Sequence, residues 1–538
     1  VVTHGDGDRP IWDALTYEPP GAAGWTHLGS GIWKKTFAAF YVRRVFCASL
    51  NSGALISQRT VGPALRRALV SGVTNSAQNA SEANIIAGLS ASSPWAPGGA
   101  TTSFALYMWT GSSTVSPPDY YQGLAFIQAD GATVGAVDAL QLRNVQNVLI
   151  RDQMFRGMSG AAVRLSAQNS DDRDVANVEV IDCASTHTLV AGVLSRRAAE
   201  LAPTWVLRNA VIRRFHADYS TNANEQEQTT SESALSGVGD GFAADHGSVS
   251  VRFENCTAKN PFHNGCIIGG TLSGLLPPVN CSFVDGRVEF SEWTTYSRGL
   301  SCTNGTGNII DRNVVVGQTT RSQIAGSVKV RGNRWLQCKT GARKPAVAQW
   351  VGVESYHFDN GSGLGNSVRY VEIWPTDVEI SGNYAEANSV NDEALAFNAY
   401  ASSLTPLWPA NSVRIANNVV KGWGYALRAQ NFGGNAATIQ VPTMQNNTFH
   451  NGTTGATRVY WKPTSAAAVE YPLATAPGCT NTGEADPQLD AAGRPMAGSP
   501  VIGSGVHISY SRDANRVQRP NPPSRGAYDV QRVLVKTT

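Results

Sequence analysis

The chain has 538 residues, only 15% of them charged and 53 of them glycine, and its 43 basic and 40 acidic residues leave a formal net charge of +3. No dense Lys/Arg run is present to track phosphates, which excludes nucleic acid as the main partner and leaves an anionic glycan compatible. No stretch reaches the roughly 18–20 apolar residues of a membrane span, so no membrane partner is expected, and no basic-then-apolar leader opens the chain, which either starts after processing or never had one.

Residues 1–122 read as a β-rich N-terminal subdomain. Phe40–Phe46 and Phe104–Trp109 are strand-like runs between Gly, Ser and Pro. Pro63–Val70 suits a short helix, and the small, polar stretch Ser71–Pro97 suits a loop.

From Gly123 to about residue 460 one phrase recurs: Ser250-Val-Arg-Phe-Glu-Asn-Cys256, Ser327-Val-Lys-Val-Arg-Gly-Asn333, Asp377-Val-Glu-Ile-Ser-Gly-Asn383 and Ser412-Val-Arg-Ile-Ala-Asn-Asn418. Each copy alternates apolar and polar residues, as a half-buried strand must, and ends in a turn. The final small residue forms a column, to which the same offset adds Cys183, Ala210, Cys281, Asn313 and Asn447. The two longest intervals, Ala210–Cys256 and Asn333–Asn383, suggest a missed or elaborated coil. Irregular repeats of about 20–35 residues indicate a solenoid, and a parallel β-helix best explains inward Asn and Cys stacked at one corner. A second column, Gly before a buried strand, runs through Ser159-Gly160, Asp240-Gly241, Asn264-Gly265 and Arg298-Gly299. The fold class is therefore all-β.

Long polar excursions leave the coils at Ala217–Gly237, Ser291–Arg298, Gln337–Gly363 and Leu404–Pro409, where a solenoid builds its binding face. Residues 461–538 lose the periodicity and read as a tail that packs back and caps the helix. Eight cysteines without a CxxC pair make neither a disulfide scaffold nor a zinc site, although neighbouring Cys256 and Cys281 leave one rung-to-rung disulfide open.

The Asn-ended coils, Gly239-Asp-Gly-Phe242 and the tail motifs Asp486-Pro-Gln-Leu489, Ser499-Pro-Val-Ile-Gly503 and Arg525-Gly-Ala-Tyr528 together resemble the right-handed parallel β-helix carbohydrate-active enzymes of the pectate-lyase-like superfamily. The N-terminal part, with Gly31-Ile-Trp-Lys-Lys35 and Val42-Arg-Arg-Val-Phe46, resembles the β-subdomain of glycosidase-like members. The resemblance implies a glycan partner, a processed protein that is secreted or on the exterior of the cell envelope, and an enzyme that hydrolyses glycosidic bonds, with polysaccharide-lyase elimination or non-catalytic glycan binding as the alternatives.

Glycoside hydrolysis needs two carboxyls at about 5–5.5 Å or 6.5–9.5 Å. Asp240 stacks near Asn264 and Arg298, with His263 level with Gly239. Asp245 and His246 lie farther along the same strand, beside open space left by Gly269-Gly270. Turn chemistry explains the Asp-Gly and Asp-His-Gly pieces equally. Glu289, sharing a strand face with Arg287, or Glu292 in the following loop is the second carboxyl, and Trp293 and Tyr296 are available to stack on sugars. Elimination from a uronate would instead use a base and cations, for which Arg298, Arg343 and Lys344 are at hand, with His357 over the same groove. No cofactor is expected for a hydrolase, Ca²⁺ is an option for a lyase, and a monomer is favoured.

Overall fold

A computed structural model describes residues 9–37, 40–49, 60–65, 68, 81–100, 103–130, 138–167, 174–197, 207–218, 239–261, 263–269, 277–290, 298–319, 322–338, 349–358, 371–373, 375–387, 393–399, 412–431, 442–451, 457–462, 468–508 and 512–529. Three parallel sheets wind into a right-handed parallel β-helix. Each coil contributes one strand to sheet I (such as Val175–Ile181), one to sheet II (Ala184–Thr186) and one to sheet III (Ala191–Arg197).

The corner between sheets I and II explains the repeated phrase. Asp152, Asp182, Arg214, Asn255, Asp285, Arg312, Gly332, Gly382, Asn417 and Asn446 all have φ between about +50° and +60°. Gly and Asn tolerate that left-handed turn best, hence the Gly-Asn and Asn-Asn endings. The next residue points inward. Asn313, Asn333, Asn383, Asn418 and Asn447 form a ladder in which each backbone N–H and side-chain amide donates to the following Oδ1 at 2.9–3.1 Å. Asn333 bonds Asn383 directly, so the long interval hides no coil and carries only an excursion.

Two members of the expected column are displaced. Phe215 and Gly286, each following a left-handed residue, occupy the corner. Ala210 and Cys281 stand five positions earlier, where the sheet I strands begin; they too follow left-handed residues, Asn209 and Asn280, so the same turn chemistry marks a second bend one strand before the corner. All eight cysteines are free, including Cys256 and Cys281, whose burial pushes their thiols up to about 12 and about 11.

Residues before the coils form two four-stranded antiparallel sheets. They enclose a core of Val45, Trp95, Leu106, Met108, Leu124 and Phe126. Leu124–Asp130, read from sequence as the first coil, pairs antiparallel with Phe40–Ser49 in this subdomain. Ile11–Asp13 instead pairs parallel with Met154–Arg156, closing the first rung of sheet II. A helix here is Glu82–Gly88, within the stretch expected as loop, with Ser81 Oγ accepting from Asn84 N and Ile85 buried; of the expected helix Pro63–Val70, the start belongs to the strand Thr60–Ala64 and residues 66, 67, 69 and 70 lie outside the described residues. At the other end, coils continue past residue 461 to Cys479–Thr480, which pairs with Thr443–Gln445. The tail then doubles back along sheets I and II, its Arg516 reaching Asp285 at 2.9 Å and its Arg525 reaching Thr448.

Candidate active site

Asp240–Ala244, Asn264–Ile268 and Arg298–Cys302 are consecutive rungs of sheet III. Phe242, Cys266 and Leu300 point into the core. The preceding Gly241, Gly265 and Gly299 are needed because sheet II presses against them: an added Cβ would lie 2.4 Å from Ala258 Cβ, 2.3 Å from a Val288 methyl and 2.5 Å from a Val315 methyl. Gly192 belongs to this column and Gly160 falls two positions before it. Because the glycine faces inward, the residue before it is turned outward. Asp240, Asn264 and Arg298 therefore stand in a row on the outer face, the Asp240 and His263 side chains each 13% exposed. Beside the row runs an apolar strip, Ala191, Leu194 and Ala243, packed against Ile267.

One Asp240 oxygen is fully engaged. Oδ1 accepts from Asn264 N at 3.0 Å and Asn264 Nδ2 at 2.8 Å, and His263 Nδ1 lies 3.2 Å away. Among the described residues Oδ2 takes no hydrogen bond. Arg298 NH1 stands 3.2 Å from His263 Nε2, and a guanidinium only donates, so Nε2 accepts and the ring proton sits on Nδ1, facing Asp240. The Asn264 amide, also 2.8 Å from Nδ1, then serves the carboxylate, since Nδ1 already carries a proton. Asn264 is itself held: its Oδ1 accepts from Ser301 Oγ at 3.1 Å, and Ser301 Oγ accepts from Gln323 N at 3.3 Å. Sequence reasoning placed Asn264 in the stack without seeing it as the tie, and did not single out Ser301. Its only written sign was the Asn-Gly ahead of a buried strand.

The other expected site residues fall elsewhere. Asp245 and His246 form the corner between sheets III and I: Asp245 Oδ1 accepts from His246 N at 2.9 Å, Ser248 N bonds Asp245 O, and His246 is buried. Five residues along an extended strand separate Asp245 from Asp240 by about 16 Å, too far for a hydrolytic pair. The space expected beside Gly269 is filled, since a Cβ there would meet Thr303 Oγ1 at 2.1 Å. Glu289 lies on sheet II, level with Lys259 and ion-paired to Arg287 on its own strand. Glu292, Trp293, Tyr296, Arg343 and Lys344 lie outside the described residues. Of His357 only the backbone is described, paired with Glu372 in a hairpin at the end of its sheet III strand.

No family model and no curated protein matches this chain. Among solved structures it is similar to XylC in complex with xylose (TM-score 0.45, 8% identity, covering 97% of this chain and 88% of that one). It is also similar to the catalytic unit of a GH87 α-1,3-glucanase from Streptomyces thermodiastaticus strain HF3-3 (TM-score 0.38, 11% identity, covering 84% and 94%). The chemistry of this chain rests on its own residues.

Proposed function

We propose that the protein is a glycan-cleaving enzyme, a glycoside hydrolase in which Asp240 is the ionised carboxylate. The observation behind this reading is the asymmetry of Asp240: Oδ1 is tied by Asn264 and His263 while Oδ2 takes no hydrogen bond among the described residues, on the outer face of a rigid sheet. Such a group serves as base or nucleophile without moving. The acid partner is Glu292. It is the carboxyl that the sequence places on the segment leading into Arg298, outside the described residues. Arg298 and His263 orient sugar hydroxyls, with Trp293 and Tyr296 as stacking surfaces. The protein works outside the cell, as a monomer and without a cofactor; among the described residues no helix is long and apolar enough to cross a membrane.

One observation favours β-elimination as a second reading: a guanidinium beside a neutral imidazole, Arg298 next to His263, also suits a uronate carboxylate and its α-proton. A panel of neutral and acidic polysaccharides, read in parallel for reducing ends and for the ultraviolet absorbance of unsaturated uronates, separates the two. Reducing ends without absorbance, lost about 10²–10⁴-fold in Asp240→Asn, support hydrolysis. Absorbance replaces it with elimination, and silence on every substrate removes the enzymatic reading.

A further inference from the structure

The arginines of the coils are mostly matched to acids on neighbouring rungs, as in Arg213 with Glu254, Arg214 with Asp182, Arg312 with Asp285 and Arg331 with Glu379. Arg334 departs from this pattern. It stands on the outer face of sheet II between Val314 and Tyr384, with Arg287 on the rung beyond Val314. Its guanidinium lies 5.1 Å from the centre of the Tyr528 ring, and the guanidinium of Arg494 lies 5.6 Å from the same centre. Tyr528 is buried with Tyr384, Val419, Val501 and Ala527, so the ring is a fixed post. Among the described residues neither guanidinium has a hydrogen-bonded or ion-paired acid. Arg334 is half-buried, and burial together with the charges of Arg287 and Arg494 lowers its pKa. A half-buried and an exposed guanidinium gathered at one ring, with no acid beside them among the described residues, suit an anion from outside the chain.

We propose that Arg334 and Arg494 form a binding site for an oxyanion, a sulfate, phosphate or carboxylate group, which their planar forks would grip by paired N–H bonds. Arg287 adds to the field and stays paired with Glu289. Arg334 belongs to a coil while Arg494 and Tyr528 belong to the tail, so the anion also fastens the tail to sheet II. The site is independent of the Asp240 reading and stands whichever reaction the enzyme performs.

The test is thermal unfolding of the full chain against sodium sulfate and against oligogalacturonate, with sodium chloride at matched ionic strength as reference. Arg494→Gln and Arg334→Gln are measured alongside; Arg494 is exposed. A saturable rise in Tm for the unaltered chain, displaced at least tenfold in concentration by Arg494→Gln, supports the site. Saturation first by oligogalacturonate identifies a glycan substituent as the source, and saturation first by sulfate a free ion. A linear rise equal in all three proteins is the general stabilisation by excluded sulfate and overturns the proposal, as does no rise at all.

Discussion

Asn383→Ala is expected to cost about 3–5 kcal/mol while leaving the Asp240 site intact. Asn383 is fully buried; its side chain accepts from Asn333 N at 2.9 Å and Asn333 Nδ2 at 3.1 Å, and donates to Val330 O at 3.0 Å and Asn418 Oδ1 at 2.9 Å. Two of these partners keep a second bond, since Asn333 Nδ2 also donates to Ile310 O and Asn418 Oδ1 still accepts from Asn383 N. The Asn333 N–H loses its acceptor and Val330 O loses its side-chain donor. At about 1–3 kcal/mol for each stranded buried group, with a small cavity added, the sum falls in the stated range. In Cys256→Ala, at the same corner, only weak thiol bonds to Ile212 O and Glu254 O are lost, for about 1 kcal/mol. Urea unfolding of both variants, with activity measured well below the transition, checks the reasoning. Equal losses for the two variants would mean that packing, and not the amide ladder, holds this corner.

Gly265→Ala brings a Cβ to 2.3 and 2.4 Å from the Val288 methyls and to 2.7 Å from Gly299 O, an overpacking worth about 1–3 kcal/mol that pushes the Asn264 tie outward; activity should fall, and adding Val288→Ala should recover part of it, the Gly299 O contact remaining. No recovery in the double variant, measured by Tm and turnover, contradicts that account. His187 is buried against Arg44 and Arg156, and burial first, then these charges, lowers its pKa to about 3. The unfolded chain takes up the proton first, so this histidine's share of stability is whole above about pH 6.5 and is lost as pH falls toward 3, by up to about 1.4 kcal/mol per unit. In His187→Asn the acid slope of unfolding should flatten by one proton, and an unchanged slope counts against a neutral buried ring. Asp529→Asn leaves the Arg519 charge, 2% exposed like its partner, without its counter-ion at 2.9 Å, at about 3–5 kcal/mol. Proteolysis in the tail should speed up before the coils unfold, and simultaneous loss of both would show the tail and coils to be one cooperative unit.

The coils were legible because a left-handed turn and an inward residue impose themselves on every rung: Gly332-Asn333 and Gly382-Asn383 state the corner in two letters. Where the turn residue is an ordinary side chain, as at Arg214 before Phe215 and Asp285 before Gly286, the column became invisible and drifted to Ala210 and Cys281. The first coil was misplaced because Leu124–Asp130 is apolar enough for either a coil or a sandwich core, and periodicity of two does not report the pairing partner. At the site, the Asp-Gly, Asn-Gly and Arg-Gly pairs gave the row of three outward side chains. Which Asp240 oxygen is tied, and that Ser301 holds Asn264, depend on distances between rungs that no spacing along the chain encodes.

The same row decides whether Asp240 is chemistry or scaffold. In the run of sheet III the N–H groups of His263 and Arg298 donate to carbonyls of the rung before, Gly239 and His263, whereas Asn264 N donates to the Asp240 carboxylate. The side chain thus stands in for a ladder acceptor, and any substitution there mixes two effects. Asp240→Asn keeps an acceptor oxygen for Asn264 N and removes the charge; Asp240→Ala removes both and strands a buried N–H, at about 1–3 kcal/mol. If the carboxylate works on substrate, the two variants lose activity alike while only the alanine loses stability. If Asp240→Asn keeps its turnover at full stability, the acceptor role is the whole of it, and the reactive carboxylates lie elsewhere on sheet III.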